Sequence, residues 1–147
     1  MGNVIPTEPR DAYLSRVAAV EAGIPHQTPA FNVNRLCGSG LQAIISAAQT
    51  HLLGEASIAV AGGAGSMRRG AYLLAAARWG SRMGDIQATD YMMGVLHDPF
   101  HRIHMGITAE NVADRAAITR EMQDELALES QVRAARAQTC DIRRLLL

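Results

Sequence analysis

Between Phe31 and Leu53 the hydrophobic period changes once. Phe31 to Leu36 alternates apolar with polar residues and predicts a strand, whereas Leu41 to Leu53 carries apolar residues almost all round and predicts a buried helix stopped by Gly54. Upstream, Met1 to Pro6 reads as the end of a strand. Glu8-Pro9 then opens a helix whose turns are marked by Leu14, Val17, Ala18 and Glu21 and which Gly23-Ile-Pro25 stops. Downstream, Ser57-Ile-Ala-Val-Ala61 is a short continuous apolar run of the kind buried in a parallel sheet, ended by a turn at Gly62-Gly-Ala-Gly-Ser66. That turn has a plain structural reading, a bend that needs positive φ, beside a functional one in which it shapes a pocket. The periodicity fades from Arg68 to His101. Thr108-Ala-Glu-Asn-Val reads as a capped helix start with Glu110 in its first turn, and Thr119 caps a last helix from Arg120 to about Gln138, with Glu129 and Arg133 spaced for an exposed pair.

The pattern puts Cys37 at the junction of a strand and a helix. Free N–H groups and the positive end of the helix dipole favour a thiolate there, and Gly38 and Gly40 keep side chains away from the sulfur. The competing reading is a small buried hydrophobe, the commonest fate of a lone cysteine. Gly38-Ser-Gly-Leu-Gln-Ala43 also fits a dinucleotide fingerprint. The next strand, however, runs into Gly62-Gly63 where that motif wants an acidic residue for the ribose. His97, His101 and His104 raise a second alternative, a zinc site on one helical face. Pro99 lies inside their spacing, and no Glu follows the first histidine.

Composition narrows the class. The chain has 147 residues, 48% of them hydrophobic and 19% charged, with no net charge, which fits a soluble globular domain. No basic stripe or aromatic platform suggests nucleic acid, and no apolar run reaches membrane-spanning length. Cys37 and Cys140 form no secreted-type framework, so a cytoplasmic setting is expected.

Three stretches in order carry a specific resemblance. Asn34-Arg-Leu-Cys37-Gly-Ser-Gly-Leu-Gln-Ala43, Ala61-Gly-Gly-Ala-Gly-Ser-Met67 and His104-Met-Gly-Ile-Thr-Ala-Glu-Asn-Val112 resemble the nucleophile segment, the glycine-rich turn and the HMG-x-TAENVA segment of the thiolase family. This resemblance implies an α/β fold, thiolase-like, with helices packed on a mixed, mostly parallel sheet and a loop-domain insertion. It implies a partial N-terminal domain over residues 1–138, with the insertion at about 68–107, and an unrelated tail over 139–147. Gly65 stands where relatives commonly carry Glu, and Arg68 where they carry Ser.

The chemistry so implied is acyl transfer between thiols through a Cys37 acyl-enzyme, with Leu96, His104 and Met105 lining the pantetheine and acyl channel and Asn111 behind them. The Cys37 N–H is the first candidate oxyanion donor. Acyl-CoA and CoA are the implied substrates, no further cofactor or metal is implied, and intact members form homo-oligomers. The family takes its base and its second catalytic cysteine from a further domain, through Gly-His-Pro, Cys-x-Gly and Asn-Glu-Ala-Phe motifs. None of these occurs here, and Cys140 lacks the expected surroundings. The resemblance therefore implies a chain truncated at both ends and impaired when alone. The alternative function is an inactive fragment that binds CoA or associates with intact subunits, and a small oxidoreductase or metal protein is the third reading.

Overall fold

The computed structural model of the chain describes residues 1–139, so the expectation for Cys140 and the tail beyond Thr139 lies outside the described residues. Two compact units are present, Met1–Val95 and a second beginning at Leu96.

The first unit is organised around Gly2. Parallel bridges join Gly2 to Val33 on one side and to Gly63 on the other. Four hydrogen bonds make the joins, from Gly2 N to Gly62 O (2.8 Å), Ala64 N to Gly2 O (3.0 Å), Val33 N to Met1 O (2.8 Å) and Asn3 N to Val33 O (3.2 Å). The expected strands at Phe31–Leu36 and Ser57–Ala61 are therefore not ladders: Val33 meets Gly2 at one bridge, and the other bridge falls at Gly63, beyond Ser57–Ala61. Ile58 and Val60 are 86% and 80% exposed, so the apolar run that predicted a buried strand has no cover among the described residues. The regular ladder is a two-residue antiparallel pair, β1 (Tyr72–Leu73) with β2 (Thr89–Asp90), followed by α3 (Tyr91–Val95).

The first helix forms where expected but opens as a 3-10 turn over Pro9–Tyr13 before α1 (Leu14–Glu21). Asp11 organises its start by accepting from Thr7 N (2.6 Å), Thr7 Oγ1 (2.9 Å) and Glu8 N (3.3 Å). These bonds favour the ionised carboxylate and hold its pKa below the ordinary value, the Thr7 amide contributing most. Helix α2 (Ser39–Leu52) ends in a Schellman turn. Gly54 has φ 74°, Gly54 N reaches His51 O (3.0 Å) and Glu55 N reaches Thr50 O (3.1 Å).

The expectation of a buried helix here is corrected. Only Ser39 and Ala43 of α2 are buried, while Leu41, Ile44 and Leu52 lie 64%, 56% and 83% exposed, because no described residue packs on that face. Ile5 and Ala43 are the buried apolar side chains among the described residues. Gly70 packs closely beside Ile5, where a Cβ would stand 3.3 Å from Ile5 Cγ2.

In the second unit a tight turn precedes α4 (Met105–Ala116). Asp98 N donates to Ile103 O (2.9 Å), Arg102 N donates to Asp98 O (2.8 Å), and Arg102 takes φ 58°. The capped start expected at Thr108 moves upstream. His104 is the N-cap and accepts from Gly106 N through Nδ1 (3.0 Å), which places the ring proton of the neutral imidazole on Nε2. Ala117 closes α4 in the left-handed region, and Thr119 starts α5 (Arg120–Thr139) as expected, its hydroxyl accepting from Met122 N (3.3 Å). Arg133 Nε donates to Glu129 Oε1 (2.9 Å), the anticipated exposed pair. Along α5 the apolar residues follow no single face, and Leu126, Leu128 and Val132 are exposed.

Candidate active site

Cys37 is exposed and sits immediately before Gly38, the N-cap of α2. Its segment is laced by short polar contacts. Leu36, with φ 48°, lies in the left-handed region that β-carbon sterics disfavour. The Leu36 N–H donates to Asn34 Oδ1 (3.0 Å), and Leu36 O accepts both Ser39 Oγ (2.6 Å) and Ser39 N (3.0 Å). Ser39 Oγ also accepts from Arg35 N (2.9 Å), and Gly38 N returns to Arg35 O (3.1 Å). Outside the turn, the Arg35 guanidinium reaches Gln42 Oε1 on α2 (2.8 Å). Cys37 is thus presented by a braced elbow and is not packed away as a core residue.

The surrounding glycines differ in purpose. A Cβ at Gly40 would meet nothing within 4 Å, so this glycine leaves open space one turn from the sulfur. At Gly63 a Cβ would come within 3.2 Å of Gly2 O, and at Gly2 within 2.8 Å of the Ser39 backbone. Neither Gly62, Gly63 nor Gly65 has positive φ. The plain reading of that turn is corrected accordingly: Gly63 is needed for close backbone approach, not for an unusual dihedral.

The approach to Cys37 is tied down by Asn32. Its Oδ1 accepts from Ser15 N (2.9 Å), and its Nδ2 donates to Asp11 O (3.0 Å) and Ala12 O (3.1 Å). One amide therefore fixes the extended segment leading to the nucleophile against the entry of α1.

Leu96, His104 and Met105 come together in the second unit, where Met105 N donates to Leu96 O (2.8 Å) and His104 caps the helix that Met105 begins. His97 and His104 pair edge to face with centroids 5.4 Å apart, while His101 pairs with Asp98. The three histidines lie on a turn and share no helical face, and the described residues contain no group of three or more His, Cys, Asp or Glu arranged to hold a metal. Asp98 is held below the ordinary carboxylate pKa, first by the Phe100 N–H at 3.1 Å and then by His101. Asn111 lies within α4.

Sequence reasoning missed Ser39, Asn32 and the conformation of Leu36. The Asn34–Leu36 spacing is that of an Asx turn and was the one available signal. Nothing in the residue types announces a left-handed leucine.

The model of the family described as thiolase, N-terminal domain, matches residues 1–142. Beta-ketothiolase BktB of Cupriavidus necator is 65% identical over 136 residues, covering 92% of this chain and 34% of that protein. An acetyl-CoA acetyltransferase of Chromobacterium violaceum is 49% identical over 125 residues, covering 84% of this chain and 32% of that one. Human mitochondrial 3-ketoacyl-CoA thiolase in complex with CoA superposes with a TM-score of 0.81 at 39% identity over 94% of this chain and 35% of its own. The Bacillus anthracis acetyl-CoA acetyltransferase gives 0.79 at 42% identity over 93% of this chain and 34% of its own. This chain spans about a third of the length of these relatives. With its Cys37 elbow and thiolase fold, it belongs to the thiolase family through that family's N-terminal domain.

Proposed function

We propose that the chain carries the acyl-accepting cysteine of a thiolase-type acyltransferase acting on CoA thioesters, an acetyl-CoA C-acetyltransferase or 3-ketoacyl-CoA thiolase. The observation that carries the reading is an exposed Cys37 held on a braced turn at the head of a 14-residue helix. The Cys37 thiolate attacks the thioester carbonyl, and the tetrahedral intermediate collapses by breaking the bond to the CoA sulfur. CoA leaves as a thiolate that takes up the proton lost by Cys37, and the acyl group stays on Cys37. One thioester replaces another of similar energy, which is why sulfur suits the step. Oxyanion charge falls to backbone donors at the elbow, the Cys37 N–H first among them.

Leu96, His104 and Met105 line the pantetheine and acyl channel in this reading. CoA bound to the human relative supports CoA as ligand. Residues 1–138 form the N-terminal domain, helices covering a mostly parallel sheet, with a loop-domain insertion at about 68–107 and a tail over 139–147. The two parallel bridges at Gly2 support that sheet, and the β1–β2 pair falls inside the insertion. No cofactor beyond the thioester is needed. Carbon–carbon bond formation requires a further base and a second cysteine, which the described site does not contain. The exposed apolar side chains of Ile58, Val60, Leu41 and Ile44 favour a second reading, in which the chain binds CoA or associates with other thiolase subunits without turnover.

Single-turnover release of CoA from acetyl-CoA, followed by liquid chromatography, tests the proposal. About one CoA per chain is expected from the native protein and none from Cys37→Ala. Equal release from both would overturn it.

A further inference from the structure

We infer that Ser39 is a positioning residue for Cys37: its hydroxyl closes the turn that keeps Leu36 in the left-handed region and so fixes where the sulfur points. The inference rests on the acyl-transfer reading of Cys37 and adds the element that aims it. A leucine at φ 48° is disfavoured by its own β-carbon, and the Leu36 side chain, 56% exposed, gains little packing in exchange. The conformation persists only if surrounding bonds over-determine it, and the Ser39 hydroxyl does so from both sides. It accepts from the N–H of Arg35 and donates to the carbonyl of Leu36, bracketing Leu36 at 2.9 and 2.6 Å. Asn34 adds the bond to the Leu36 N–H.

Ser39 itself is 4% exposed, so water offers little substitute for its hydroxyl. Gly2 presses on it from behind, with room for no Cβ against the Ser39 carbonyl. Leu36 directly precedes Cys37, so a change in its backbone angles swings the Cα–Cβ bond of the nucleophile. Placement errors of this kind cost acyl transfer far more than they cost folding.

The test compares the native chain with Ser39→Ala, Asn34→Ala, Leu36→Gly and the Ser39→Ala/Leu36→Gly double variant. Three readouts are taken: Cys37 acetylation by acetyl-CoA, Cys37 alkylation by iodoacetamide relative to Cys140 in the same chain, and the backbone chemical shifts of Leu36. Ser39→Ala is expected to move the Leu36 shifts out of the left-handed range and to slow Cys37 acetylation about tenfold or more, with Cys140 alkylation unchanged. Leu36→Gly in that background restores most of the rate, because glycine takes positive φ without penalty. Unmoved Leu36 shifts and unmoved Cys37 alkylation in Ser39→Ala would overturn the inference, as would a slow variant that Leu36→Gly fails to rescue. If Ser39→Ala does not fold, Asn34→Ala decides by the same readouts: a smaller slowing in the same direction supports the inference, and none overturns it. If the native chain takes no acetyl group while its Cys37 alkylation and Leu36 shifts respond to Ser39→Ala, the acyl-transfer reading fails and the positioning role stands.

Discussion

Asn32 is the amide whose loss says most about how the nucleophile segment is held. Replacing it with alanine deletes three hydrogen bonds, from Ser15 N and to the carbonyls of Asp11 and Ala12, and leaves the N–H of Ser15, a residue only 7% exposed, without its acceptor. A typical bond contributes about 1 kcal/mol net, so Asn32→Ala is expected to cost about 3 kcal/mol. Unfolding entropy near about 2.1 cal/mol/K per residue gives about 0.3 kcal/mol/K for 147 residues, and the loss corresponds to about 10 °C in Tm. Asn32→Asp keeps an acceptor for Ser15 but turns a carboxylate on two carbonyl oxygens, and should fall at least as far. Thermal unfolding by circular dichroism measures the shift, and amide exchange at Ser15 localises it. A drop of less than about 2 °C, or unaltered Ser15 exchange, would refute the reasoning that one side chain ties this segment to α1.

Further outcomes follow from individual groups. Thr108 Oγ1 is buried without a hydrogen-bond partner among the described residues, so Thr108→Val should hold or raise stability, by up to about 1 kcal/mol; a comparable loss would reveal a partner for the hydroxyl. Asp11, Asp98 and Glu121 are all held below their ordinary values by hydrogen bonds to the ionised form. Their folded pKa values lie below the unfolded ones, so their contribution is complete above the ordinary carboxylate range and disappears as pH falls through the folded values. Melting temperature should therefore decline as pH falls below the ordinary aspartate range, and more gently in an Asp11→Asn/Asp98→Asn variant. Superimposable pH profiles for the two proteins would remove these carboxylates from the acid response.

Much of the local structure was legible because its signals are short-range. Glu8 and Pro9 at a helix start, Gly23 and Gly54 at helix ends, and the hydroxyl of Thr119 ahead of α5 act through neighbours within a turn. Cys37 at the head of α2 was equally readable, since the period changes there. The misreadings involve longer range. Burial of Leu41–Leu53 and of Ser57–Ala61 was inferred from apolar content, but burial depends on what packs above a surface, and among the described residues nothing covers Leu41 or Ile58. The Gly62–Ser66 turn carries two readings in the sequence, a positive φ or a pocket wall, whereas the demand seen at Gly63 comes from the Gly2 backbone far away in sequence. His104, expected to line a channel, is the cap of α4, a use that the sequence pattern assigns to Thr108. Ser39 escaped notice because a serine at a helix start is ordinary, and only the bonds it makes across Leu36 set it apart.

The central claim is that the 34–39 elbow presents Cys37 as an acyl acceptor. Intact mass after brief exposure to acetyl-CoA, with Cys37→Ala as control, tests it most directly. The account predicts one acetyl group on the native chain, located on Cys37 by peptide mapping, and none on the variant. An unmodified native chain, or acetylation that survives Cys37→Ala, would contradict it.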